Sequence, residues 1–213
     1  GLYAALSVVS ALRRADRTGQ GYLIDCTMLG ATLGVAALQT SEYFGNGRDP
    51  VKLGSAHPRN APYQAFRAAD GDFAMAAGND RLWRAACEGL GRLDLCADPR
   101  FASTALRAQH QAALRDILEA DFAQHTVGDL LALFSRQGVP CAPINGYAAV
   151  LEDPQVRHME WVRPLELPNG ATTRTFASPL KMQRQTFGIR RRPPLLGEHN
   201  DEALAEIDTG RRT

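Results

Sequence analysis

Tyr22-Leu23-Ile24-Asp25-Cys26-Thr27 is the stretch on which the fold class turns. Its first five residues are mostly apolar and lie between the helix-breaking Thr18-Gly19-Gln20-Gly21 and an Ala- and Leu-rich segment that runs from Met28 to Phe44. This pattern predicts a short strand over 22–26, followed by a helix that Thr27 opens as N-cap. Upstream, Leu2, Leu6, Val9 and Leu12 recur at helical spacing, and Arg13-Arg14 suit a helix C-terminus, so a first helix is expected to about Ala15. Helix, strand, helix is half of a parallel α/β unit.

Further along, Gly45, Gly47, Pro50, Gly54, Pro58 and Pro62 are too dense for regular structure and predict a linker or functional loop at a domain boundary. Strands over 63–67 and 72–77 flank Ala68-Ala69-Asp70-Gly71, where Asp-Gly is a hairpin signal. Asn79 or Asp80 caps a helix that continues through Leu90 and stops at Gly91. Ser103 caps a longer helix to about Gln124, and Thr126-Val127-Gly128-Asp129 reads as a capping box opening a helix through Gln137. Pro140 and Pro143 confine a strand over 139–144 to an edge or an irregular connection. Short helices are expected over 146–151 and 154–160, and Pro168-Asn169-Gly170 turns a hairpin between 162–167 and 171–176. Residues 178–197, with Arg190-Arg191-Arg192-Pro193-Pro194, read as a solvated extended connector before a last helix near Asn200.

With 24 Lys and Arg against 23 Asp and Glu the net charge is +1, which leaves no broad field to gather nucleic acid or anionic membrane. The apolar runs are interrupted well before the roughly 18–20 residues of a membrane span. Cys26, Cys87, Cys96 and Cys141 are scattered, without a CxxC pair or a histidine at metal-ligand spacing. They read as reduced, mostly buried thiols of a soluble, cytoplasmic protein. The opening Gly1-Leu2-Tyr3-Ala4-Ala5-Leu6 is already inside a helical pattern and looks like a cut end.

Few residues stand out chemically. His57, in Gly54-Ser55-Ala56-His57-Pro58-Arg59-Asn60, is the best candidate: a loop bounded by glycine and proline that carries His, Arg and Asn can hold an anionic substrate. An exposed loop histidine with no role is the competing reading. His110, His125, His158 and His199 have no mutual spacing of a metal site, so no metal is implied. Asp70 is accounted for by its turn, and Asp25 by the alternation of a strand. GxSxG, Walker and GxGxxG motifs are absent.

Read in order, several segments resemble family III coenzyme A transferases, the CaiB/BaiF group. They are 1–6 through Arg17-Thr18-Gly19-Gln20-Gly21, then Ile24-Asp25-Cys26-Thr27-Met28-Leu29, Ala61-Pro62-Tyr63-Gln64-Ala65-Phe66 and Ala77-Gly78-Asn79-Asp80. The match continues with Gly138-Val139-Pro140-Cys141-Ala142-Pro143-Ile144-Asn145, Asp153-Pro154-Gln155-Val156 and Arg192-Pro193-Pro194-Leu195-Leu196-Gly197-Glu198-His199. The resemblance implies an α/β chain that comprises the end of a Rossmann-like large domain and a small α/β domain. Residues 1–45 would be the helix-strand-helix end of the large domain's first part, 46–62 a linker and substrate-facing loop, 63–167 the small domain, and 168–213 the return to the large domain. It further implies an interlocked homodimer, an acyl-CoA and a carboxylic acid as substrates, and no permanently bound cofactor, coenzyme A thioester being a substrate.

In that family an aspartate attacks the acyl-CoA thioester, and the released thiolate converts the resulting anhydride to an aspartyl-CoA thioester. Gly1 matches the glycine of the family's Asp-x-x-x-Gly stretch, so the aspartate is expected just before Gly1 and no catalytic residue in the chain. Loop 54–60 resembles a segment that some formyl-CoA transferases make glycine-rich. Here Gly54, Ser55, Ala56, His57, Arg59 and Asn60 are the substrate-binding candidates, with Arg59 placed to pair with the free carboxylate of a dicarboxylic acid. An α-methylacyl-CoA racemase, which shares the fold, and a non-catalytic truncated homologue are the alternatives. The stretch Ile207-Asp208-Thr209-Gly210-Arg211-Arg212-Thr213 departs from the family in lacking its usual final helix.

Overall fold

A computed structural model describes residues 1–180, 182–183 and 188–208, of which 207 and 208 by backbone only. The chain divides into two units, Gly1–Pro58 and Arg59–Thr213.

The first unit holds α1 (Leu2–Thr18), α2 (Met28–Val35) and α3 (Ala37–Asn46). Helix α1 runs three residues beyond its expected end, until Gly19 takes φ 70° and its N–H bonds the Ala15 carbonyl at 2.7 Å. Thr27 caps α2 as predicted, its hydroxyl accepting from the Gly30 N–H at 3.1 Å. The expected strand over 22–26 is not formed. A strand is a strand only by bonding a neighbour, and no described residue pairs with this segment. The helix expected from Met28 to Phe44 is interrupted at Ala36, where ψ is 22°. Tyr3 packs against Gly34 so closely that a Cβ there would lie 2.6 Å from its hydroxyl. None of the three helices buries a residue.

The second unit is built on a three-stranded antiparallel sheet ordered β1 (Tyr63–Arg67), β2 (Asp72–Ala76), β3 (Cys141–Pro143). Phe66 pairs with Phe73, and Met75 with Cys141. The predicted hairpin forms, and β3 occupies the edge that its prolines require. Gln64, Phe66, Phe73 and Met75 face inward while Tyr63 and Arg67 are exposed, the period-two alternation of a sheet covered on one face. The cover is helical: α4 (Asp80–Leu90), α5 (Leu93–Ala97), α6 (Thr104–Gln109), α7 (Gln111–Phe122) and α8 (Val127–Arg136). Phe122 is the hub, its ring 5.4 Å from Phe66, 5.2 Å from Phe73 and 5.9 Å from Phe134. Leu114, Leu118 and Leu130 complete this core. At roughly 1.5–3 kcal/mol per buried side chain, it is the main source of this unit's stability.

Local signals fix the helix starts. Asn79 accepts from the Leu82 N–H at 2.9 Å, Ser103 from the Leu106 N–H at 3.3 Å, and Thr126 and Asp129 form the reciprocal capping box. The single helix expected from Ser103 to about Gln124 is two helices, because the backbone departs from helical geometry at His110 (φ −102°, ψ 24°). Beyond β3 come α9 (Tyr147–Leu151), α10 (Pro154–His158) and the hairpin of β4 (Val162–Glu166) with β5 (Thr172–Phe176). Helix α11 (Asn200–Asp208) covers the first two residues of the stretch 207–213, and the remainder lies outside the described residues. Among the described residues no helix is long and apolar enough to cross a membrane.

Candidate functional site

Residues 47–60 carry no regular structure, as their glycine and proline content requires. Within the first unit, Gly54 at φ 63° turns the chain so that the Ala56 N–H reaches the Leu53 carbonyl at 3.1 Å. Gly54 and Ser55 are exposed on this turn, and Ala56 and His57 are half-buried beside them. Arg59, exposed, and Asn60, half-buried, open the second unit. Of these candidates Ser55, His57, Arg59 and Asn60 all have interaction partners. The turn thus holds Gly54, Ser55, Ala56 and His57 together, whereas Arg59 and Asn60 belong to the framework of the second unit.

Arg107 ties that framework together. Its side chain is fully buried, with Nε donating to the Ala61 carbonyl at 2.8 Å and Nη1 to the Phe101 carbonyl at 3.1 Å. Nη2 donates to Asp80 Oδ1 at 2.8 Å and to Thr104 Oγ1 at 3.0 Å. A guanidinium is the side chain that can serve four acceptors in a plane, and the Trp83 ring lies 5.6 Å from its Cζ. The hydrogen bond from Arg107 holds the Asp80 carboxyl below the usual carboxylate range. From the other side the Ala77 N–H donates to the Pro62 carbonyl at 2.8 Å. Gly78 lies against Asn60, where a Cβ would come 2.7 Å from the Asn60 Cβ. Ala61-Pro62 and Ala77-Gly78-Asn79-Asp80, two of the segments that carry the family resemblance, are therefore one structure at the base of the loop.

Arg107 and Asp80 were not marked by the sequence as site residues. No local signal marks Arg107, since Leu106 and Ala108 beside it are only half-buried and Ala105 and Gln109 are exposed. Asp70, expected to serve only its turn, also accepts from the Val127 N–H at 2.7 Å and so ties the hairpin to the start of α8. Asp25 is exposed. Burial pushes the Cys87 thiol up, with Cys96 beside it adding to the shift. All four cysteines are free thiols, but they are not mostly buried as expected: Cys87 is buried, Cys96 and Cys141 are half-buried and Cys26 is exposed. Among the described residues no group of His, Cys, Asp and Glu side chains is placed to hold a metal ion. The first unit offers the His57 imidazole on its turn, and the second the Arg59 guanidinium and the Asn60 carboxamide just before β1, groups whose chemistry suits an anion.

Comparison with known proteins agrees in sequence and in structure. The model of CoA-transferase family III matches residues 1–200. The chain is 34% identical over 213 residues to a succinate–glutarate CoA-transferase of Agrobacterium fabrum, an alignment covering all of this chain and 53% of that protein. It is 32% identical over 213 residues to a succinyl-CoA:mesaconate CoA-transferase of Haloarcula marismortui, covering 97% of this chain and 52% of that one. A crystal structure of a CaiB/BaiF family protein from Brucella suis superposes with a TM-score of 0.78 at 36% identity, over 98% of this chain and 54% of the other. The chain spans about half the length of the curated relatives it matches. A match along nearly the whole chain, in sequence and in architecture, makes it a member of CoA-transferase family III.

Proposed function

We propose that the whole protein to which this chain contributes moves coenzyme A between an acyl-CoA and a carboxylic acid, with dicarboxylic acids as substrates. The observation that carries the substrate class is the set of relatives named for succinate, glutarate and mesaconate, together with Arg59 in the loop at 54–60. A second carboxylate on the substrate needs a cation, and a forked guanidinium suits it. In this proposal Gly54, Ser55, Ala56, His57, Arg59 and Asn60 face the substrate, and Arg107 is a positioning residue that fixes the strand on which the loop ends.

The covalent steps belong to an aspartate that the family resemblance places upstream of Gly1. Its carboxylate adds to the thioester carbonyl and expels CoA thiolate, leaving an acyl-aspartyl anhydride. The thiolate attacks the aspartyl carbonyl, giving aspartyl-CoA thioester and releasing the donor acid. The acceptor carboxylate repeats the two displacements in reverse order and leaves as the new acyl-CoA, regenerating the aspartate. No permanently bound cofactor is needed for this sequence.

The domain division 1–45, 46–62, 63–167 and 168–213, the interlocked homodimer and the cytoplasmic location are part of the same proposal. Exposed Leu2, Leu6, Val9 and Leu12 on α1 support burial of that helix within the larger assembly, and four free thiols suit a reducing compartment. The test is CoA exchange from succinyl-CoA to a panel of mono- and dicarboxylic acids, by this chain and by one extended upstream through the aspartate. Transfer to dicarboxylates in the extended protein, lost on changing that aspartate to Ala, is the expected result. No transfer in the extended protein would refute the proposal.

A further inference from the structure

We propose that Cys87 and Cys96 form a dithiol, reduced at rest, which a small-molecule disulfide closes to an intramolecular disulfide, a modification site that staples α4 to α5. Cys87 lies in the last turn of α4 and is fully buried. Cys96, near the end of α5, is half-buried and packs against the same core. Gly91 and Arg92 alone join the two helices. Gly91 reverses the chain at φ 69°, and the Arg92 N–H donates to the Cys87 carbonyl at 2.8 Å. This tight connection returns α5 along the end of α4 and brings the two thiols within hydrogen-bonding reach of each other. The other cysteines are placed differently. Cys26 belongs to the first unit, and the Cys141 thiol donates to the Leu131 carbonyl at 3.8 Å.

The two thiols are unequal, and this sets the order of the steps. Burial makes the Cys87 thiolate costly, and the neighbouring Cys96 adds to that cost. The attacking group is therefore Cys96, the one of the pair that solvent reaches. Its sulfur displaces one half of the small disulfide, leaving a mixed disulfide on Cys96, and its proton passes through water to the departing thiolate. The Cys87 sulfur then bonds the Cys96 sulfur, the mixed S–S bond breaks, and the Cys87 proton goes to the second departing thiolate. Two protein thiols lose two electrons, and one disulfide is reduced to two thiols. The new bond falls on the elements that Arg107 already bridges. Arg107 joins α4, through Asp80, to the turn Pro99–Phe101 that follows α5, through the Phe101 carbonyl. A Cys87–Cys96 bond joins α4 to the segment leading into that turn and so reinforces the base on which Arg107 holds Ala61.

Peptide mapping of the full chain tests this. The folded protein is incubated with oxidised glutathione, its remaining thiols are blocked with N-ethylmaleimide, and it is digested with trypsin without reduction. Cleavage after Arg84, Arg92 and Arg100 separates the two cysteines, so the bond is read as peptide 85–92 joined to peptide 93–100 and released by dithiothreitol. Cys87→Ala should leave glutathione on Cys96, and Cys96→Ala should leave Cys87 unmodified. The oxidised unaltered chain should melt about 5 °C above the reduced chain, a rise absent from both variants. Glutathione retained on Cys96 of the unaltered chain with no joined peptides overturns the assignment, as does Cys87 joined to Cys26 or Cys141, or glutathione on Cys87 in Cys96→Ala. A joined form that melts no higher than the reduced chain overturns the reinforcement of the loop base.

Discussion

Arg107 Nε donates to the carbonyl of Ala61 at 2.8 Å across 46 positions of sequence, and so fastens the end of the loop at 54–60 to the helical layer of the second unit. The same guanidinium serves Phe101, Asp80 and Thr104. Arg107→Lys keeps the charge but loses the fork, leaving at least two of these acceptors unserved. Each buried group so orphaned costs about 1–3 kcal/mol. Arg107→Lys is therefore expected to lower stability by about 3 kcal/mol, measured by urea denaturation. A loss under about 1 kcal/mol would mean that the four contacts do not hold the loop base.

Gly78 is small for a reason that can be measured. A Cβ there would meet the Asn60 Cβ at 2.7 Å and the Asn60 Cα at 3.4 Å, so backbone must shift. Gly78→Ala should cost about 1–3 kcal/mol, the range of overpacking. Asn60→Gly in the same chain removes the nearer atom and should recover about half of that loss. Additive effects of the two changes, with no recovery, would count against the contact.

What the sequence disclosed and what it hid divide along one physical line. The hairpin at Asp70-Gly71, the caps at Thr27, Asn79 and Ser103, and the box of Thr126 with Asp129 are contests between neighbours a few residues apart, and the residue types decide them. Tyr22 to Cys26 has the composition of a strand, yet a strand depends on a partner, and composition cannot say whether one is present. The breaks at Ala36 and His110 occur at residues that neither demand nor forbid a helix. Arg107 is the sharpest case. Nothing local separates it from a solvated arginine, because its role is set by carbonyls of Ala61 and Phe101 that only folding brings within reach. The loop at 54–60 was legible as a loop through Gly54 and Pro58, while the anchoring of its end through Gly78 was not.

Asp80 and Asp129 share the acid limb of stability with Asp94, Asp98, Glu152, Glu198 and Glu202, whose carboxyls are also held low. Asp80 is held below its ordinary pKa first by the hydrogen bond from Arg107, and Asp129 first by that from the Thr126 hydroxyl. A carboxylate whose folded pKa is depressed binds its proton more readily in the unfolded chain. Its contribution is present above the unfolded value near 3.9 and is lost as pH falls through the folded value. Stability should therefore be flat from about pH 7 to 5 on account of these groups and decline below about pH 4. Asp80→Asn should flatten that decline while lowering stability at pH 7. A variant with an unchanged acid limb would remove Asp80 from the linkage.

The proposed substrate preference places a sharper demand on Arg59. If its guanidinium pairs with the distal carboxylate of a dicarboxylic acceptor, removing the charge must penalise that acceptor and spare one that lacks the group. A charge-assisted pair contributes about 1.5–3 kcal/mol, which corresponds to about 10- to 100-fold. In the extended, active protein, Arg59→Gln should raise KM for glutarate by that factor, with little change in kcat and no change for a monocarboxylate of equal length. His57→Gln probes the other half of the loop: it keeps a hydrogen-bonding group and removes the imidazole, and should raise KM for glutarate several-fold with little change in kcat. Equal losses for both acid classes in Arg59→Gln would show a residue that supports the loop and does not read the substrate, and dicarboxylate recognition would then have to be sought outside residues 54–60.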